Sequence, residues 1–275
     1  MTEPSLRCIT ATNAGVMTGA GTNTYLLAGG SIVIDPGPKD PAHTEHLVNL
    51  AAGNLKWILV THTHRDHSPG ALLLAQETGA TIVGMPAPVG ENQDQLFVPG
   101  WVPVHDELLE LGDYMLQAIH TPGHASNHLC YRDVQSGILF SGDHINQGTT
   151  VVIAPPDGSM QQYLDSLELL HHYPIRAIAP GHGSMIKEPS RAIDSLIRHR
   201  LQRELKTLRH LRELSADRGV SLDILLSRVY SDVPQSLHPI ARYSLLAHLL
   251  KLEKDGLVAS PDALRWQAVT GDWLP

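Results

Sequence analysis

The chain has 275 residues, a formal net charge of −8 and 42% hydrophobic residues, enough for one large domain, or one with a small appendage, and too apolar for long disorder. The negative balance argues against a protein built mainly to grip nucleic acid, and two cysteines, Cys8 and Cys130, cannot make a disulfide framework, which fits a reducing compartment. No apolar run approaches the roughly 18 residues of a membrane span, and the Met1–Arg7 segment lacks the basic and apolar regions of a signal peptide, so a cytoplasmic location is expected.

Up to Met185, short apolar runs alternate with Gly, Pro and Asp. Tyr25–Leu27, Ile32–Ile34, Trp57–Val60, Ile82–Val83, Met115–Ile119, Ile138–Phe140, Val151–Ile153 and the short run Ile175–Ala179 read as strands. Ala71–Glu77 and Gln161–His171 read as helices, the second with Leu164, Leu167 and Leu170 on one face. The Gly- and Pro-rich stretch Gly84–Pro103 reads as a long surface loop. This is an α/β layered pattern. Beyond Pro189 it turns helical, over Arg191–Ser215, Leu222–Val229 and Ile240–Lys254, and Leu257–Ala259 reads as the first arm of a hairpin, which together outline a winged-helix module. Charge changes at the same place: residues 1–185 carry 6 Lys+Arg and 17 Asp+Glu, residues 186–275 carry 14 and 11. A catalytic domain over 1–189 and a helical, winged-helix-like module over 190–275 are therefore expected.

The 17 histidines, against 2 Phe, 4 Trp and 7 Tyr, direct attention to metal and proton chemistry. Thr61-His62-Thr63-His64-Arg65-Asp66-His67 follows the strand Trp57–Val60, so it occupies a strand's carboxyl end, where open α/β sheets place their sites. Four ligand-type residues at this spacing point to metal, and a turn can send His62 and His64 to one ion and Asp66 and His67 to another. His124 in Thr121-Pro122-Gly123-His124, Asp143 in Ser141-Gly142-Asp143-His144 and His182 in Pro180-Gly181-His182 each fall just past a strand, beside a Gly that lets the backbone approach closely.

In these motifs the sequence resembles the metallo-β-lactamase superfamily, with T-H-x-H-x-D-H followed by G-H, G-D and G-H. The resemblance implies a four-layer αβ/βα sandwich with a two-metal site at one edge of the paired sheets. It assigns His62, His64 and His124 to the first ion, Asp66, His67 and His182 to the second, and Asp143 to a bridging position; Asp35, in Asp35-Pro36-Gly37, is implied as a structural residue behind the ligands. The likeness is to the beta-lactamase-like protein 2 group in particular, through Thr61–Gly70, Thr121–His128, Ser141–Val151 and Pro180–Ser184, and in the tail through Leu237-His238-Pro239 and His248–Leu257. That group includes endoribonucleases on single-stranded RNA, and related fungal enzymes are thioesterases.

Two divalent ions about 3.5–4 Å apart can share one hydroxide and lower the pKa of bound water towards about 7. Zinc suits the many imidazoles, and iron or manganese also suit His/carboxylate sets. Asp66 is the candidate to orient the hydroxide and take its proton. His128 is open to two readings, a contact to substrate or leaving group, or a strand-edge histidine hydrogen-bonded to backbone. His144 reads as a supporting or surface residue; His43 and His248 have ordinary helix or surface explanations, and Thr149 and Thr150 read as a polar loop, with the pocket mouth as the alternative. Three functions are weighed. The first is a dinuclear hydrolase of a small ester, thioester or lactone. The second is a single-stranded RNA endoribonuclease held by a stripe formed by Arg191, Arg198, Arg200, Arg203, Lys206, Arg209 and Arg212, for which the plain alternative is a solvated helix face. The third is a metal-binding module without catalysis. An Asp at 143 counts against β-lactam hydrolysis as the native task. A small-molecule partner is favoured, RNA is kept as the alternative, and a homodimer is left open.

Overall fold

The computed structural model describes residues 6–214, 219–262 and 265–269. The start of the Met1–Arg7 segment and the end of the predicted helix, Ser215, lie outside these residues. The first sheet holds β1 (Arg7–Thr10), β2 (Asn23–Leu27), β3 (Ile32–Ile34), β4 (Trp57–Leu59) and β5 (Thr81–Val83) in that order, antiparallel as far as β3 and parallel from there. The second holds β6 (Glu107–Leu111), β7 (Tyr114–His120), β8 (Leu129–Asp133), β9 (Ile138–Gly142) and β10 (Ala177–Pro180), antiparallel except for the parallel β9–β10 pair.

Period-two alternation explains why the sheets stack. Tyr25, Leu27, Ile32 and Ile34 meet Leu116, Ala118, Leu129, Tyr131 and Phe140 between the sheets. The residues between them point the other way: Leu26 and Val33 to helices α1 (Pro41–Ala51) and α2 (Gly70–Thr78), Ile119, Cys130 and Leu139 to α3 (Met160–Leu170) and the start of α4 (Pro189–Leu214). The inner strands β2, β3, β8 and β9 are buried on both faces, and the result is the expected four-layer αβ/βα sandwich. Helix α1 begins where Asp40 accepts from the backbone N–H groups of Ala42 and His43, with Pro41 in its first turn.

Helix α4 serves two cores. Ile193 packs among α3 residues, while Leu211 joins Leu225, Leu249 and Trp266 of the C-terminal part. There α5 (Leu222–Val229) and α6 (His238–Lys254) pack with α4 and with a small sheet of β11 (Val220–Ser221), β13 (Arg265–Ala268) and β12 (Val258–Ala259), the helix–helix–hairpin outline of a winged helix. No helix among the described residues is long and apolar enough to cross a membrane.

Three expectations change. Val151–Ile153 is not a strand. Its backbone groups are taken by side chains instead of a ladder: Val151 O accepts from Arg200, Val152 O from His124 Nδ1, and Ile153 N donates to Ser244 Oγ. Gly84–Pro103 is a loop, yet not wholly a surface one, because Phe97 and Gln93 are buried; Phe97 enters the core under α1 and α2, and Gln93 accepts a hydrogen bond from Thr63 Oγ1. His43 and His248 lie on helices, α1 and α6, as one expected reading had it, but are buried rather than at the surface, the first against Thr24 Oγ1 at 2.9 Å and the second 3.4 Å from Glu204 Oε2.

Candidate metal centre

The strand ends of β4, β7, β9 and β10 bring the motifs to one edge. Leu129 N donates to Thr61 O, Asn23 N to Gly181 O, and Tyr25 Oη to Pro180 O, so cross-sheet bonds fix the loops that carry the candidate ligands. Glycine before each late ligand is a steric requirement. Gly142 has φ +46°, and a Cβ there would overlap the Thr61 side chain and lie 2.9 Å from His128 Nε2; a Cβ on Gly181 would lie 2.8 Å from both Asp143 Oδ1 and His67 Cε1.

Three donor sets converge: His62, His64 and His124; Asp66, His67 and His182; and His62, His67 and Asp143. In the first, His62 Nε2 and His124 Nε2 lie 2.9 and 3.0 Å from His64 Nδ1. In the second, Asp66 Oδ2 lies 3.4 Å from His67 Nε2 and 3.2 Å from His182 Nε2. Asp143 faces both sets. Its Oδ1 is 3.4 Å from His67 Nε2 and 3.2 Å from His182 Nε2, and its Oδ2 is 3.5 Å from His124 Nε2.

Hydrogen bonds at the far ring nitrogens show why these atoms meet. His124 Nδ1 donates to Val152 O at 2.6 Å, His182 Nδ1 to Gly21 O at 3.1 Å, and His67 Nδ1 to Asp35 Oδ2 at 2.9 Å. Thr61 Oγ1 donates to Asp35 Oδ2, so it accepts at 3.1 Å from His62 Nδ1. In neutral rings each opposite nitrogen then carries a bare lone pair. His67 Nε2 is buried without a hydrogen-bond partner. Bare lone pairs and carboxylates turned on one another are repulsive unless cations lie between them. Donor atoms about 2.0–2.1 Å from a tetrahedral ion stand about 3.3–3.4 Å apart, close to these separations. The residues therefore fit metal ions, three imidazoles on one side and a carboxylate with two imidazoles on the other, with Asp143 between.

Electrostatics follows the same division. Burial, then the neighbouring imidazoles, holds His62 well below the ordinary histidine value, and burial together with His124 holds His64 down to about 3. Burial opposes charge on His67 and His182 too, but the carboxylates outweigh it: Asp66, Asp143 and Asp35 hold His67 well above its usual value, and Asp143 and Asp66 push His182 up to about 9. Asp66 and Asp143 lie far below the carboxylate range, burial being outweighed by His67 and His182. Metal-free, the second set binds protons where ions would sit.

Asp35 holds the frame. Its carboxylate accepts from Thr61 N, Thr61 Oγ1 and His67 Nδ1, and it does so from a left-handed backbone, φ +51°, a strained conformation for a non-glycine residue. His128 is fully buried. Its ring stacks on His62 at 4.9 Å and its Nδ1 lies 3.0 Å from Thr121 Oγ1, so it backs a candidate ligand and offers no atom to a substrate; its partner is a side chain, not the backbone. His144 is buried rather than at the surface, with its ring 5.1 Å from that of Tyr163. Three contributors have no sequence motif of their own: the carbonyls of Gly21 and Val152, and Thr22, whose Oγ1 donates to Asp66 Oδ2. Asn146 is a fourth. It accepts from His182 N and donates to Asp143 Oδ1, and its place three residues after Asp143 is the one available signal.

A cavity of about 210 Å³ opens from His124 and Asp143 towards the C-terminal part. It is lined by Val16 and Met17, by the Thr149–Val152 stretch, by α4 residues, by Val233 and Leu237 between α5 and α6, and by Ile240 of α6. Thr149 and Thr150 thus line the cleft as well as forming a polar loop. The basic stripe is not continuous: Arg200 and Arg203 are buried, and Arg203 and Lys206 both bind Asp232.

A βαβ-rich, four-layer sandwich with a His/Asp centre at one sheet edge defines the class, and comparison with known proteins agrees. The family model described as "Metallo-beta-lactamase superfamily" matches residues 17–182, and one described as "Beta-lactamase associated winged helix domain" matches residues 221–266. The chain belongs to the metallo-beta-lactamase superfamily. It is 32% identical to a beta-lactamase-like protein 2 homolog of Drosophila melanogaster over 89% of this chain and 86% of that one. It is 29% identical to an atrochrysone carboxyl ACP thioesterase of Aspergillus chevalieri over 93% and 83%. Among solved structures, a metallo-beta-lactamase family protein of Thermus thermophilus superposes with a TM-score of 0.79, at 20% identity, over 96% of this chain and 98% of the other.

Proposed function

We propose that the protein is a dinuclear metal hydrolase of a small ester, thioester or lactone. The observation that carries this reading is the cleft: about 210 Å³, walled mainly by apolar side chains and opening directly onto His124 and Asp143, dimensions that suit a compact organic acyl group. The similarity to a protein named as an acyl carrier thioesterase supports it. RNA is the weaker reading, because the middle of the basic stripe is broken: Arg200 and Arg203 are turned inward and Asp232 neutralises Arg203 and Lys206.

His62, His64 and His124 would hold one ion, Asp66, His67 and His182 the other, with Asp143 shared. When bound, two such ions polarise a carbonyl and acidify water, with zinc the best match to the imidazoles and iron or manganese compatible with the set. The chain supplies the rest. Asp35, Gly21 O and Val152 O keep His67, His182 and His124 in the tautomer that presents Nε2. The contacts of Asp66 to Thr22, His67 and His182 all run through Oδ2. Its other oxygen makes no hydrogen bond among the described residues, on a side chain 27% exposed, and is the one left to accept a proton from attacking water. The apolar walls of the cleft exclude bulk water from the acyl group.

A hydrolysis screen with and without chelator tests this, using acyl-thioesters, a lactone, a cephalosporin and a short unstructured RNA. The expected result is chelator-sensitive turnover of an ester, thioester or lactone, with Asp66→Asn lowering kcat by about 10²-fold or more. Cleavage of RNA with no turnover of the small substrates would overturn it.

A further inference from the structure

We propose that Arg200 is the anchor of an anion subsite in the cleft, taking a carboxylate or phosphate carried by an otherwise apolar ligand. The proposal rests on the small-substrate reading above and deepens it.

Arg200 lies on α4, lines the same cavity as His124 and Asp143, and is only 3% exposed. Its Nη2 donates to Val151 O, and its guanidinium carbon stands 5.1 Å from the centre of the Tyr163 ring. It enters no ion pair among the described residues, and its Nε is buried with no hydrogen-bond partner. A buried cation without a counter-ion is costly and persists where something supplies the missing charge. Arg203, less than one turn on and lining the same cavity, shows how this fold satisfies an arginine that is purely structural. It bonds Val229 O and both oxygens of Asp232 and stacks 4.4 Å from the Tyr230 ring.

The surroundings select the ligand. Asp143 is the one carboxylate among the residues lining the cavity, and it is already turned to His67, His182 and Asn146. His199, also on the lining, has a buried Nδ1 without a partner, a second group able to bond an oxyanion. Asn146, Thr149, Thr150 and Ser244 add neutral polar groups, and residues such as Val16, Met17, Leu237 and Ile240 make an apolar half. A ligand with an apolar body and one negative group fills both halves. Planar guanidinium bonds carboxylate and phosphate alike, so the charge can reside on the acyl part or on a thiol carrier.

Titration calorimetry on the full chain, metal-loaded and after chelator treatment, tests this without turnover. The probes are 2-naphthoate with 2-naphthamide as its neutral counterpart, and pantetheine 4′-phosphate with pantetheine. The wild type should bind at least one anionic probe about tenfold or more tightly than its neutral counterpart, including in the chelator-treated chain where no metal can take the anion. Arg200→Gln should erase that preference and leave the neutral affinity within about twofold, while Arg200→Lys keeps part of it. A preference for naphthoate places the charge on the acyl part, and one for the phosphate places it on the carrier. Metal content and circular dichroism of each variant separate a subsite from a brace for Val151. Equal weakening of anionic and neutral probes, or lost metal in Arg200→Gln, would show that Arg200 only supports the loop and overturn the proposal. Should Arg200→Gln not fold, absence of anion preference in the wild type, or its full retention in Arg200→Met, overturns it equally. Anion-selective binding without hydrolysis of any small substrate would sink the hydrolase reading and leave the subsite standing.

Discussion

Asp35→Asn separates a frame residue from a ligand. The carboxylate accepts three hydrogen bonds, from Thr61 N at 2.8 Å, Thr61 Oγ1 at 2.8 Å and His67 Nδ1 at 2.9 Å. An amide in its place can keep the first through Oδ1, but its NH2 then points at two donors. Two charge-assisted bonds are lost, each worth about 1.5–3 kcal/mol, or about 3–6 kcal/mol together if they add. Thr61 Oγ1 can turn its hydrogen away and still accept from His62 Nδ1, 3.1 Å away, so His62 keeps its tautomer and the first metal set its geometry. His67 cannot compensate, because Asp35 is the sole partner of its Nδ1 among the described residues. The expected outcome is a loss of about 10- to 100-fold in affinity at one of two sites, the one containing His67, with the other changed by less than about threefold. Competition titration with a chromophoric chelator reads the two sites separately. Equal weakening of both, or neither, would refute the tautomer argument and leave Asp35 as a general stabiliser of the sheet edge.

Asp143→Asn should still fold and bind metal, but towards about one ion per chain and with activity down about 10²-fold or more; full metal content with near wild-type turnover would remove Asp143 from the centre. The raised His67 and His182 predict proton release on metal uptake. Apparent affinity should rise with pH up to at least about 9, where His182 gives up its proton, and a pH-independent affinity would contradict this. The sign is opposite for the metal-free fold: the stability that the His182 imidazolium supplies is complete below about 6.5 and lost as pH rises through about 9, visible as a falling unfolding midpoint in chelator. Gly142→Ala forces a side chain into Thr61 and His128 at φ +46° and should destabilise by about 2 kcal/mol or more, measured by denaturant unfolding; an unchanged midpoint would mean that the turn relaxes freely.

The seven candidate ligands were legible because each has a recognisable side chain in a local motif, His62 to His67 in one turn and His124, Asp143 and His182 each behind a glycine past an apolar run. The layered fold was legible for the same local reason: strands such as Ile32–Ile34 are apolar on both faces, and helix α6 repeats its leucines. What local pattern cannot carry is a partner remote in sequence. Val151–Ile153 looks like a strand by composition, but no neighbouring strand is available, and its carbonyls go to His124 and to Arg200. His128 is open to two readings in the sequence, and only its place just before β8, with its ring stacked on His62, shows it buried behind a candidate ligand. The arginines of α4 read as a stripe because helical spacing says which residues share a face, not what lies opposite. Asp232 and Val151, brought there by the C-terminal packing, decide that Arg203 is spent on structure and that Arg200 is left facing the cleft. Residue chemistry was thus set by the sequence alone, while burial, tautomer and pairing were set by contacts that only the tertiary fold creates.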